Sequence, residues 1–428
     1  MAHETNNSLW RSSSREAFGS APLPGDRTVE LAIVGGGFTG CAAALEGARL
    51  GASVCLLEGE HVAHGGSGRN VGLVNAGLWT PPDEIIDRLG TAAGERLITE
   101  LNVGPRHVRG LIEREGIDCE ATGRGTLHCA HSADGLRDLE NRHSQGRRYG
   151  APLELLDAEE TARRTGSSTY HGALLDPRAG TIQPWAYCHG LARAARNAGA
   201  MIHEQSPVSG IRYDGDRWVL TIGSHRVTAK ALILATNAYH LGIQGLFAPE
   251  FVPVSYCQFA TIPMPPDARA RILPGGEGCW DTATVMSSFR TDAAGRMIVG
   301  GVGNSEGVGA PVHARWARRK LRTLFPEIAE LPFEHAWRGR IAMTGDHLPK
   351  IVEFGPKGYA GFGYSGRGIC PGTVFGTQIA KAIVTNDESH LPVPLVARHA
   401  ERFSRARASY YEVGATLTHA LSPTPLIN

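Results

Sequence analysis

Positions 31–34 of the chain are apolar without interruption, the run ends in three glycines, and residues 41–50 then follow a helix-compatible pattern up to Gly51. Apolar residues resume at Val54–Leu57, which predicts strand, helix and strand in close succession. From about 81 to 165 helical spacing prevails, with stretches near 84–103, 105–115, 134–148 and 157–164. Asp157 and Glu160 form a capping box for the last of these. Pro184 opens a helix that runs to Gly199. Strands are predicted at 201–205, 207–213, 217–222 and 226–235, with Asp214-Gly215 and Gly223-Ser224 as hairpin turns. The apolar run at the end of the last strand suits burial on both faces of a parallel sheet. Beyond it, β-rich runs at 252–262, 284–290 and 296–301 predict a largely antiparallel layer, and 311–325 reads as a helix. A glycine-rich strand at 358–363 then leads through Tyr364-Ser365-Gly366-Arg367-Gly368 to a helix at 373–384.

Composition narrows the possibilities. A chain of 428 residues exceeds one ordinary core. Lys plus Arg number 43 against 42 Asp plus Glu, so no global field draws the protein to nucleic acid or an anionic membrane. The cluster Arg315, Arg318, Arg319, Lys320 and Arg322 reads as a solvated helix face. Eight scattered cysteines without a CxxC pair suggest reduced thiols, and no metal-ligand spacing occurs. Residues 1–28, rich in Ser, Asn and Pro, read as a flexible leader without a signal core. No apolar segment reaches the length of a membrane span, so the expected location is cytoplasmic.

The candidate chemistry begins with Gly35, Gly37 and Gly40, a GxGxxG between the first strand and its helix. The first glycine permits the tight turn, the second lets amides approach a pyrophosphate, and the third allows close packing of helix on strand. Phe38 and Thr39 lie within this cradle. Glu58, 18 positions beyond Gly40, ends the second strand where an acidic side chain would meet ribose hydroxyls. A second glycine loop, Gly66-Ser67-Gly68-Arg69-Asn70, can wrap a cofactor backbone.

With these segments the chain resembles the D-amino acid oxidase and glycine oxidase superfamily of FAD-dependent enzymes across about 30–390. Three regions carry the resemblance: the amino-terminal unit with Glu58 and Ser67–Asn70; Val208 with Ala235-Thr236-Asn237-Ala238-Tyr239; and Trp337-Arg338-Gly339 through Thr344–Pro349 to Gly363–Gly368. Within the superfamily the Ser-Gly-Arg-Asn loop, Ser288-Phe289-Arg290 and Gly300-Gly301 look most like the γ-glutamylputrescine oxidase group. Arg367 departs from the histidine usual in the family's carboxy-terminal loop, and Val71 from a glycine usual in that group.

The resemblance implies an α/β fold: a Rossmann-like FAD-binding domain (29–80, 180–243 and 335–390) interleaved with a second α+β substrate domain built on an antiparallel sheet (81–179 and 244–334), then a C-terminal helical tail at 391–428. It implies FAD, held non-covalently because no cysteine near Ala342-Met343 matches the one used for a covalent link. FAD contacts are expected from Gly35, Gly37, Phe38, Thr39, Gly40, Glu58, Ser67, Gly68, Arg69, Asn70, Val208, Ala235, Thr236, Gly366, Arg367, Gly368 and Ile369. The implied reaction is oxidation of a C–N bond in an amine or N-substituted amino acid by hydride transfer to the flavin, imine hydrolysis, and return of electrons to O2 as H2O2. Arg340 and Arg367 are the preferred carboxylate anchors among Arg290, Arg338, Arg340 and Arg367, and Tyr256 is a candidate for the substrate face. His64, His347 and Lys350 are weaker candidates near flavin loops. Open alternatives are a D-amino acid dehydrogenase with a quinone-type acceptor, and a flavin-binding subunit of a larger complex or RNA-modifying enzyme.

Overall fold

A computed structural model describes residues 8–421. Its first sheet has ten strands. Arg27–Val34 lies at the centre, parallel to Val54–Leu57 on one side and to His225–Leu234 on the other, with Leu31 opposite both Val54 and Ala231. Met201–His203 extends one edge, and Gly358–Phe362 joins parallel to the end of His225–Leu234. Both faces are covered. Leu31, Ile33 and Leu56 pack with the helices Phe38–Arg49, Pro184–Asn197 and Ile369–Thr385, while Ala32, Val34 and Leu57 pack with Trp218 and Phe362. Consecutive apolar residues are what a two-sided sheet requires.

The second sheet has eight strands in the order Phe333–Met343, Val252–Pro263, Arg296–Val302, Ser287–Thr291, Gly278–Asp281, Thr126–Cys129, Ala173–Asp176 and Glu154–Leu156. All neighbours are antiparallel except the pair Gly278–Asp281 and Thr126–Cys129. One face buries Cys257, Phe259, Cys279, Phe289 and Val299 against Trp316 and Leu321 of the helix Ala310–Leu324. Alternation leaves the other face to Tyr256, Gln258, Trp280 and Ser288.

Several expectations change. Residues 333–343, grouped in part with the nucleotide-binding half, pair along their length with Val252–Pro263 in the second sheet. Three short strands, at 126–129, 154–156 and 173–176, lie in a region whose pattern is mainly helical. Runs of three or four residues are too short to display a period. The helix expected at 84–103 is two, Pro82–Leu89 and Thr91–Asn102, divided by Gly90 at φ +76°. Val208 precedes rather than lies in its strand, which begins at Gly210, after Pro207 and a left-handed Gln205.

The supposed leader is anchored from residue 8 onward. Leu9 and Trp10 are buried. Ser8 Oγ donates to the Gly68 carbonyl (3.0 Å), and Trp10 Nε1 donates to that of Asn70 (2.7 Å). This segment therefore braces the second glycine loop; residues 1–7 lie outside the described residues. At the other end, Ser404–Leu421 is helical, and the expected tail is described as far as residue 421.

Candidate functional site

The carboxyl ends of the parallel strands face the polar side of the second sheet across a cleft of about 1390 Å³. Ligands of open parallel sheets bind at this end of the strands. Gly35 makes the first turn at φ +111°, a left-handed value that disfavours side chains. A Cβ on Gly40 would overlap the Gly35 carbonyl oxygen, so only glycine lets the helix approach. Gly40 thus shapes the loop from behind. The helix Phe38–Arg49 has no side-chain cap, and Phe38 N–H donates to Ser67 Oγ (3.0 Å), tying the two glycine loops together.

Glu58 accepts from Gly36 N–H through Oε2 (2.6 Å) and from Glu60 N–H through Oε1 (2.9 Å). Burial, the largest influence, raises its carboxyl above the ordinary value. Asn70 spends its amide on the loop itself, donating to the Gly66 (3.1 Å) and Ser67 (2.9 Å) carbonyls and accepting from Gly72 N–H (2.8 Å). Arg69 is buried, with Nε donating to the His64 carbonyl (2.9 Å). Val208, Ala235 and Thr236 line the same end, and Gly366, Arg367, Gly368 and Ile369 open the helix Ile369–Thr385 onto the cleft, again without a side-chain cap. Of the seventeen residues expected to contact the cofactor, Gly40 and Gly68 alone do not line the cleft; a Cβ on Gly68 would collide with Ala63 O and Trp185. Two helix N-termini that begin on glycine, an acidic strand end and a continuous cleft fit an extended dinucleotide.

The other wall is a row of side chains brought together by strand register. His128 stands opposite Trp280, Trp280 opposite Ser288, Ser288 opposite Gly300, and Gly300 opposite Gln258. Tyr256, two residues along, donates its hydroxyl to Ser288 Oγ (3.0 Å), and burial raises that hydroxyl above its usual range. His128 stacks on Trp280 with centroids 5.0 Å apart, and burial holds its imidazole well below the ordinary value, hence neutral. Gln258 Oε1 and Trp280 Nε1 are buried with no partner among the described residues. Sequence reasoning missed this wall apart from Tyr256. The polar positions alternating with Cys257 and Phe259 are the available sign of it.

The four candidate arginines separate. Arg290 is 2% exposed and donates to the carbonyls of Ile182 (2.6 Å), Gly72 (3.2 Å) and Val71 (3.4 Å), so it joins the two halves. Arg338 pairs with Glu306 (2.6 Å). Arg340 faces the cleft over the Tyr239 ring (5.3 Å). Arg367 lies between Trp79 (4.8 Å) and Trp280 (5.2 Å), donates Nη1 to the Ala76 carbonyl (2.7 Å), and leaves a buried Nε without a partner. Burial first, then Arg142, lowers its guanidinium to about 10. Among the weaker candidates, His64 and His347 line the cleft, whereas Lys350 is paired with Asp346. Cys370 is buried behind the loop, and no cysteine lines the cleft. The C-terminal helix adds Tyr410, Tyr411 and Thr418 to its mouth.

Residues 30–382 match the DAO family, described as FAD dependent oxidoreductase. The chain belongs to this family. It is an FAD-dependent oxidoreductase related to amine and amino-acid oxidases. A probable oxidoreductase, OrdL, of Rhizobium meliloti is 33% identical over 354 residues, 81% of each chain. The γ-glutamylputrescine oxidoreductase of Escherichia coli is 30% identical over 400 residues, 90% of this chain and 92% of the relative. Glycine oxidase from Geobacillus kaustophilus shares the fold with a TM-score of 0.70 at 21% identity, covering 88% of this chain and all of that one. Among the described residues no helix is long and apolar enough to cross a membrane, and no group of three or more metal-ligating side chains occurs.

Proposed function

We propose that the chain oxidises a C–N bond of an amine or N-substituted amino acid, with FAD held non-covalently along the cleft and O2 as the terminal acceptor. The observation that carries this reading is the cleft's continuity from the Gly35–Thr39 cradle to the Tyr256–Trp280 wall. Bound FAD supplies the two-electron acceptor. The substrate carbon loses a hydride and its nitrogen a proton; water then hydrolyses the imine to a carbonyl compound and an amine, and O2 takes up the two electrons with two protons and leaves as H2O2.

The protein's part is position and field. Amides at the two glycine-led helix starts would face the pyrophosphate and the pyrimidine edge, and Glu58 the ribose. The Arg367 cation already occupies the faces of Trp79 and Trp280, and beside it and neutral His128 a second positive charge is disfavoured, which favours the neutral amine able to release hydride. Tyr256 and Gln258 orient the amine, and Arg367 or Arg340 holds a carboxylate where the substrate has one.

The test is anaerobic addition of an amine panel to the purified flavoprotein. Bleaching by amines, followed by H2O2 on admitting air, supports the reading. Bleaching by NADH alone overturns the amine chemistry, and reoxidation only by a quinone overturns the choice of O2. The basic helix gives no support to an RNA-directed role: Arg318 donates to the Ala329 and Leu331 carbonyls, Arg319 to that of His419, Lys320 pairs with Asp281 (2.6 Å) and Arg322 with Glu330 (2.6 Å).

A further inference from the structure

Behind Arg367 lies a second, smaller cavity of about 120 Å³. Asn75, His128, Arg142, Trp280 and Arg367 line both it and the main cleft, so the two spaces share a wall. At about 10–15 Å³ per water-sized group, the chamber has room for several such groups. Its walls are of two kinds. One side is aliphatic, with Leu78, Leu97, Leu101 and Leu174, and the other carries the guanidiniums of Arg142, Arg178 and Arg367 together with one carboxylate, Asp176.

The charges around the chamber do not balance. Arg178 is held by Asp176 through two nitrogens (2.9 and 2.7 Å) and by Asn102 (2.9 Å). Arg142 pairs with Asp138 (2.7 Å) and donates to the Trp79 carbonyl (2.9 Å). Arg367 forms no ion pair among the described residues: it donates to a carbonyl and lies against two indole faces, its Nε is left unbonded, and the Asp176 carboxylate acts on it only through space, opposed by Arg142 and Arg178. Three guanidiniums share the carboxylates of Asp176 and Asp138, which leaves the neighbourhood of Arg367 short of negative charge that an arriving anion can supply. Planar guanidinium suits a carboxylate, and the aliphatic wall suits methylenes leading up to it.

We propose that this chamber is a carboxylate subsite: it takes the anionic end of an elongated substrate whose C–N bond lies in the main cleft, with Arg367 and Arg142 at the neck. The proposal rests on the amine-oxidation reading and sharpens it. The preferred substrates are amines bearing a carboxylate several bonds from the oxidised carbon, rather than α-amino acids, whose carboxylate sits beside the reacting centre.

The experiment has two arms. In the first, glutarate, which has no oxidisable amine, is titrated into the holoenzyme and followed by tryptophan fluorescence and calorimetry. Binding is expected to quench Trp79 and Trp280 emission, and Arg142→Gln to weaken it at least tenfold, the scale of one charge-assisted hydrogen bond. In the second, anaerobic flavin reduction compares 5-aminopentanoate, 3-aminopropanoate and pentylamine. The longer amino acid is expected to be preferred over both, and Arg142→Gln to cut its kcat/KM advantage over pentylamine at least tenfold. Leu153→Phe, which narrows the chamber without touching a charge, is expected to shift preference toward the shorter acid. Reduction by all three amines at comparable kcat/KM, or glutarate binding unchanged in Arg142→Gln, would overturn the subsite and leave the amine chemistry standing. Glutarate binding with the expected Arg142 dependence, but no reduction by any amine, would support the subsite and remove the chemistry.

Discussion

The two ends of the cleft are built on different principles. At the glycine-loop end the shape comes from backbone: a turn at Gly35, a helix that touches Gly35 O where Gly40 lacks a side chain, and a carboxylate, Glu58, bonded to two amides. At the aromatic end it comes from side chains on strands far apart in sequence, His128, Tyr256, Trp280 and Ser288, aligned by register. Backbone constraints tolerate few residue types, so the first end admits little variation. The second end can be re-dressed residue by residue while the sheet persists, which is how one fold serves many substrates.

The sharpest way to break this contrast is at Gly40. A Cβ there overlaps the Gly35 carbonyl, and relief requires the helix Phe38–Arg49 to move away from its strand. Gly40→Val is therefore expected to cost on the order of 3 kcal/mol or more and to yield protein with little bound flavin, read as the ratio of 450 nm to 280 nm absorbance. Full flavin content in this variant would mean that the cradle is more pliable than its geometry implies.

Arg290 tests whether the ends are independent. It belongs to the second sheet but donates to Gly72 and Ile182, on segments flanking the second glycine loop and the helix Pro184–Asn197. Arg290→Met would leave the Ile182 carbonyl unsatisfied and that of Gly72 with the Ile182 N–H alone, an expected loss of roughly 1–3 kcal/mol in denaturation experiments, with flavin content falling in parallel. A stable variant with impaired turnover alone would instead make Arg290 part of the substrate wall.

Legibility in the sequence follows the same division. The cradle, Glu58 and the Gly366–Ile369 turn were readable because each demands particular residues at particular spacings. The leader was misread because Ser, Asn and Pro dominate it, while the contacts that anchor it, from Ser8 and Trp10 to carbonyls 60 residues away, depend on tertiary structure. The strand 333–343 was partly misplaced since Trp337-Arg338-Gly339 within it belongs to a cofactor-like motif; Trp337 Nε1 does donate to Arg69 O (2.9 Å), but from the second sheet. Trp79 and Arg142 escaped notice because nothing local marks a residue whose role is to enclose Arg367.

Tyr256 sits on the re-dressable wall, so its removal should leave the other end untouched. Tyr256→Phe deletes the hydroxyl bonded to Ser288 and is expected to lower kcat/KM about fivefold, near 1 kcal/mol, with flavin content unchanged. Loss of flavin here would show that the two ends are coupled through the sheet.

The smallest expected effect concerns the mouth of the cleft. The helix Ser404–Leu421 places Tyr410, Tyr411 and Thr418 there and is fastened by His419, which stacks on Trp316 (3.9 Å) and shares an Nδ1–Nδ1 hydrogen bond with His313 (2.8 Å). Both imidazoles are buried and both titrate below the ordinary value. For His419 burial is the largest cause, followed by His313, Arg319 and Lys320, and together they bring it down to about 3; Glu412, 3.9 Å from His313 Nε2, is the nearby opposing charge. A depressed histidine pKa means that the docked helix binds fewer protons than the released one. Docking is therefore fully favourable above about pH 6.5 and weakens as pH falls from there toward 3. Between pH 7 and 6 the shift in equilibrium is about threefold for His419 alone. Protection factors for amide exchange in residues 404–421, which divide out the intrinsic pH dependence of exchange, should fall accordingly, and His419→Phe, which keeps a ring against Trp316 but cannot titrate, should flatten the dependence. Protection factors that are equally pH-dependent in the variant would place the sensitivity elsewhere and leave the mouth of the cleft as rigid as its cradle.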